Sequence, residues 1–219
     1  MTEPVPFSDL ATAAYCPRQL YYARRDDDRE PPDRVDRVRE LAVRYPDLRS
    51  APAEALAAEP IAVSPRAYRE RLRTARDRFA DDWPAIADPP ERQVLVTGRD
   101  CRGVVDKVLP GSRPSVVSAG EPPPNGVWEP DSVRAVAAAL ALAHRDETRV
   151  ESAYVEYPAH GVVRAVPLSV HRRAAYRRTL RAVRAVDGPP PRLGDDAKCD
   201  ACDYREQCGV PTRSLRSLL

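Results

Sequence analysis

The cysteines are the residues of this chain best placed to do chemistry. Three lie near the C-terminus in Lys198-Cys199-Asp200-Ala201-Cys202-Asp203-Tyr204-Arg205-Glu206-Gln207-Cys208, a C-x2-C-x5-C array. A fourth, Cys16, lies near the N-terminus in Tyr15-Cys16-Pro17-Arg18-Gln19-Leu20-Tyr21-Tyr22. A closed thiolate site takes four ligands. The three clustered thiols therefore point across the whole chain to Cys16, and such a site would bring the two ends of the fold together. The polar neighbours of Cys199, Cys202 and Cys208 give these side chains nothing to pack on. Metal ligation explains them better than burial as small hydrophobes. That plainer reading suits the fifth cysteine, Cys101, which falls on a predicted strand. Four thiolates can hold zinc or an iron–sulfur cluster, and spacing alone leaves both open.

Composition bounds the rest. At 219 residues the chain predicts one domain, or one with an appendage. It has no apolar run long enough to span a membrane and no basic-then-apolar leader at its start. A cytoplasmic location is the expectation, and there clustered cysteines are more often metal sites than disulfides. Net charge is only +2. Lys107 and Lys198 are the only lysines among 35 basic residues, so 33 are arginine. Arginine is the better fork for phosphate, although a GC-rich genome would produce the same bias.

The elements that must position these residues can be read in order. Residues 8–24 predict two short helices, with Ser8 capping the first and Pro17 in the first turn of the second. Residues 26–34 read as a loop and 35–45 as a short helix. Residues 46–63 are rich in Pro and Ala and are assigned to no element. Ser64 and Pro65 open a helix over 65–83, with Tyr68, Leu72, Ala75 and Phe79 on one stripe and Arg66, Arg69, Arg73 and Arg76 on the other face. Residues 94–97, 101–109 and 115–118 predict three strands. An alanine-rich helix follows over 131–144, then a hairpin of 150–157 and 162–168 around His160-Gly161. A last helix covers 169–186. On it Tyr176, Leu180 and Val183 share one side, and Arg173, Arg177, Arg181 and Arg184 another. The order predicts an α/β domain with a mixed sheet. The arginine row on 169–186, with no acid in that span, is the first candidate for following a phosphate backbone.

Three stretches carry a resemblance. They are Tyr15 to Tyr22, the strand Arg102-Gly103-Val104-Val105-Asp106-Lys107-Val108, and the end from Pro191-Arg192 through Lys198 to Cys208. Together they resemble the CRISPR-associated RecB-like exonuclease family of the PD-(D/E)XK nuclease superfamily, over nearly the whole chain. The resemblance implies a restriction-endonuclease-like mixed sheet flanked by helices, one domain over 1–219. The cluster-side helices would occupy 8–24, the nuclease core 92–186 and the cysteine segment 192–210. It implies a 4Fe–4S cluster on Cys16, Cys199, Cys202 and Cys208, clipping the two ends. It also implies a single-stranded DNA partner and a role beside the CRISPR integrase proteins.

The same resemblance implies a Mg²⁺ or Mn²⁺ centre built from an Asp on one strand and Glu-x-Lys on the next. Asp106 matches the Asp, as catalytic residue and metal ligand. The next strand reads Val116-Val117-Ser118-Ala119-Gly120, with Val116 in the Glu place and Ser118 in the Lys place. Neither can serve. Lys107 follows Asp106 directly, so strand alternation sends it to the opposite face. The helix at 131 lacks the expected Gln and Tyr, and His144, His160 and His171 all lie downstream of the place for a His ligand. The expectation is a nuclease-fold protein that keeps scaffold and cluster, has lost most of its metal centre, and acts by binding DNA or protein partners. The alternatives are an active exonuclease with a rearranged site of Asp106, Glu121 and Glu40, and a four-cysteine zinc protein without a nucleic-acid role.

Overall fold

The computed structural model describes residues 3–26 and 33–209. Its centre is a six-stranded mixed sheet. The strands are β1 (Val5–Pro6), β2 (Glu91–Thr97), β3 (Cys101–Leu109), β4 (Arg113–Val117), β5 (Ser152–Tyr157) and β6 (Val162–Pro167). The sheet runs β1-β3-β4-β5-β6, with β2 also paired to β3. The meander β2-β3-β4 is antiparallel. The crossover from β4 to β5 makes that pair parallel, with Val116 opposite Val155, and β5-β6 closes as a hairpin. Gly161 ends the hairpin's tight turn at φ +64°, in the left-handed region that glycine enters without steric penalty.

Helices cover both faces, as a sheet with two apolar faces requires. On one side lie α1 (Phe7–Tyr15), α8 (Glu129–Arg145) and α9 (Val170–Arg184). They bury Leu10, Val133, Val136, Leu142, Tyr176, Leu180 and Val183 against Val116, Val155 and Val166. On the other side lie α3 (Asp33–Leu41), α4 (Tyr45–Ser50), α5 (Ala53–Ala57), α6 (Pro65–Arg78) and α7 (Trp83–Ala87). Their Leu41, Tyr45, Leu48, Leu56, Tyr68, Leu72 and Ile86 meet Leu109, Val117, Tyr154 and Val163. Fully burying one Leu or Tyr-sized apolar group is worth roughly 1.5–3 kcal/mol, so each layer is held by many such terms. α2 (Pro17–Ala23) and α10 (Asp196–Asp200) stand where an N-terminal segment meets a C-terminal one, Tyr15 and Arg18 bonding Lys198, Pro190 and Cys208.

The α/β class and the mixed sheet agree with the sequence reading, and several boundaries move. Ser8 is not a cap: β1 hands the chain straight into α1 at Pro6, which caps it without a side-chain bond. The helix expected over 65–83 stops at Arg78, and a separate short helix begins at Trp83. Ser64 does cap α6, its Oγ accepting from Ala67 N–H at 3.3 Å. The helix expected over 35–45 is split into α3 and α4, and 46–63 supplies most of α4 and all of α5. Part of the loop expected over 26–34 lies outside the described residues.

Candidate functional site

The Asp106 carboxylate sits mid-strand in β3 and is only 5% exposed. A buried carboxylate must be paired or heavily hydrogen-bonded, and here it is both. Oδ2 accepts from the Arg134 guanidinium at 2.6 Å and from Val117 N–H at 2.8 Å. Gln93 Nε2 lies 3.4 Å from Oδ1. Arg134 projects from the second turn of α8 and also donates to Val117 O at 3.0 Å. One guanidinium therefore ties α8 both to the end of β4 and to the carboxylate on β3.

This arrangement does not fit a divalent cation. A fixed positive charge already lies against the carboxylate that would lead the ligand set. Val116, where the resemblance expects a Glu, is buried in the core and offers no oxygen from its side chain. Ser118 is taken up in another pair: its hydroxyl and the Tyr157 hydroxyl both bond Asp131, the latter at 2.8 Å. Burial lifts Asp131 above the ordinary carboxylate value, and those two hydrogen bonds oppose the rise. The rearranged trio Asp106, Glu121 and Glu40 is not assembled either. Among the described residues, no three His, Cys, Asp or Glu side chains are grouped to hold one ion.

Lys107 does point to the opposite face, as alternation requires. It is fully buried, and its three ammonium donors reach Ala42 O at 2.6 Å, Ile86 O at 2.7 Å and Glu156 Oε2 at 2.8 Å. The Tyr45 ring lies 4.9 Å from the ammonium. Ser115 Oγ donates to the other Glu156 oxygen at 2.5 Å. Burial pulls Lys107 below its ordinary value and the Glu156 carboxylate pulls it back. With every ammonium donor satisfied, the group pins α3 and α7 to the sheet. Its side chain is enclosed, only 1% exposed.

At the far end, Cys16, Cys199, Cys202 and Cys208 line one cavity between α2 and the C-terminal segment. The ends are stitched directly. Tyr15 OH donates to Lys198 O at 3.0 Å, Arg18 Nη1 to Pro190 O at 2.8 Å, and Arg18 Nε to the Cys208 sulfur at 3.1 Å. Tyr22 stacks on Tyr204, whose hydroxyl donates to Asp26 at 2.8 Å. Arg18, Arg192, Lys198 and Arg205 also line the cavity, and among the described residues no carboxylate does. A cationic wall suits thiolates. The four cysteines line a shared space, and among the described residues no three His, Cys, Asp or Glu side chains are grouped to hold one ion. Cys101 is elsewhere: it is buried against α8 with its sulfur 3.5 Å from Ala137 O, and burial pushes its thiol up to about 11. That is a structural thiol.

The arginine row on α9 is only partly a surface. Arg173 donates to Leu168 O at 3.0 Å and to Val150 O at 3.3 Å, which fastens the helix to the segments just before β5 and just after β6. Arg184 pairs with Asp100 at 3.0 Å. Arg177 and Arg181 remain exposed, with no ion pair among the described residues.

Sequence reasoning missed Arg134 and Glu156, and both had a signal. Arg134 is the only charged residue between Asp131 and His144, in an alanine-rich helix. Glu156 is the only acid in an otherwise apolar strand. A scan against protein-family models finds none that matches the chain, and a search of curated proteins finds no match.

Proposed function

We propose that this chain is a nuclease-fold protein that binds rather than cuts. In this reading its former metal carboxylate serves as a structural anchor, and a metal–thiolate group on Cys16, Cys199, Cys202 and Cys208 clips its ends. The observation that carries the reading is the 2.6 Å contact of Arg134 with Asp106. An internal cation satisfies the carboxylate permanently, where a nuclease would keep it open for Mg²⁺ or Mn²⁺. The order of meander, helix and parallel strand supports the resemblance to the CRISPR-associated RecB-like exonucleases. The same resemblance favours a 4Fe–4S cluster in the clip over zinc. When bound, either group supplies a cross-link between the two ends of the chain. Single-stranded DNA is the proposed nucleic-acid partner, held by exposed arginines, with the CRISPR integrase proteins as candidate protein partners.

The test is Mn²⁺-dependent degradation of end-labelled single-stranded DNA by the anaerobically purified protein. The expected result is no degradation beyond that of Asp106→Ala. Robust degradation that disappears in Asp106→Ala would overturn the reading.

A further inference from the structure

We propose that the groove beside the Asp106–Arg134 pair is a docking site for another protein, through a segment that carries aliphatic and acidic side chains. The inference rests on the reading that this cleft does not cut. Leu95 and Val104 are 72% and 41% exposed, and the register of β2 and β3 places them opposite each other. They form one apolar patch on the outer part of the sheet. This patch is the floor of a groove of about 600 Å³, walled by the start of α1 and flanked by Arg39, Arg102 and Arg134. Gly103 keeps the floor tight: a Cβ there would lie 2.5 Å from the Phe7 ring.

Charge decides the class of partner. Among the described residues, no carboxylate lines the groove. The ion partners of Arg39 and Arg102 are Asp36 and Glu3, whose side chains are 71% and 82% exposed. Such exposed pairs are worth little and exchange readily for an incoming acid. Nucleic acid would also answer the charge, but unspecific single-strand binding relies on aromatic platforms for the bases. The exposed floor here is leucine and valine, which reward aliphatic side chains. Aliphatic contacts ringed by arginine are the pattern of a protein interface, with an apolar centre and a charged rim.

The experiment is selection of random short displayed peptides on the full chain, followed by titration of the enriched peptides against variants. The expected result is enrichment of sequences that combine Leu, Ile or Val with Asp or Glu. Leu95→Ser/Val104→Ser should weaken them at least about tenfold, and Arg102→Glu should do so independently. Both Leu95 and Val104 are surface side chains, and circular dichroism with thermal melting checks that the variants fold. The proposal is overturned if no sequence enriches, if the enriched binders are basic or aromatic, or if they ignore both variants. Displacement of the peptides by oligothymidylate would overturn it too, by making the groove a nucleic-acid channel. The non-cutting reading fails in a different assay, by metal-dependent cleavage, so the two failures are distinguishable.

Discussion

Substituting Arg134→Gln removes the cation and keeps a side chain of similar reach. Asp106 is then left with Val117 N–H and the long contact to Gln93. Breaking a buried ion pair by removing one partner costs about 3–5 kcal/mol. The guanidinium is 18% exposed and one backbone donor stays in place, so the lower end, about 3 kcal/mol, is expected. For a chain of this size each kcal/mol shifts Tm by about 2–4 °C, which predicts a fall of about 6–12 °C. The reverse substitution, Asp106→Asn, should be milder. Arg134 has an exit to solvent and Asp106 has none, so the freed guanidinium can turn outward. A loss of about 1 kcal/mol is expected there, the ordinary size of a net hydrogen bond. The double mutant should be less destabilised than the sum of the two single mutants, with a coupling of about 2 kcal/mol, inside the range for contacting residues. Thermal or urea unfolding of the four proteins closes the cycle. A coupling below about 0.5 kcal/mol, or a larger loss for Asp106→Asn than for Arg134→Gln, would refute the claim that Arg134 holds an otherwise stranded carboxylate.

Two further outcomes check the ends of the molecule and the arginine surface. Cys16→Ser should lose most bound metal and a large part of thermal stability, and Cys101→Ser should keep its metal; equal metal loss in the two would remove the assignment. Visible absorbance of the anaerobically purified wild type identifies the group, since a cluster is coloured and zinc thiolate is not. On α9, Arg177→Ala/Arg181→Ala should flatten the slope of log K against log[salt] for single-stranded DNA by at most about 1.4, two contacts of roughly 0.7 each. A larger change would mean that Arg173 or Arg184 leaves its internal partner on binding.

The sheet, both of its main covering helices and the meeting of the ends were legible because each rests on a local pattern. The stripe of Tyr176, Leu180 and Val183 faces the core as the period of the helix requires. The spacing of the cysteines pointed to the other end of the chain, and Cys16 lines the same cavity as they do. The arginine row was legible as a row and misleading as a surface. Arg173 and Arg184 find Val150, Leu168 and Asp100, residues whose nearness only the tertiary structure determines. Residues 46–63 gave no period because α4 and α5 are each too short to show one.

Asp106 and Lys107 show how much more the charges themselves contained. They are adjacent and of opposite sign, and β3 is buried on both faces from Val105 to Leu109. Alternation forbids them from neutralising each other across the strand. Each must therefore be answered on a different face of the sheet, and an isolated charge in an apolar element is the natural candidate. Arg134 in the alanine-rich helix and Glu156 in β5 meet that description, as do Asp9, alone in α1, and Arg164, alone in β6. Sign narrows the choice and the tertiary structure makes it, pairing Arg134 with Asp106 and Glu156 with Lys107. The same logic bears on function. A metal centre would keep the Asp106 side of β3 short of positive charge until the cation arrived. This chain places a permanent charge there, on a helix it cannot move without also releasing the end of β4.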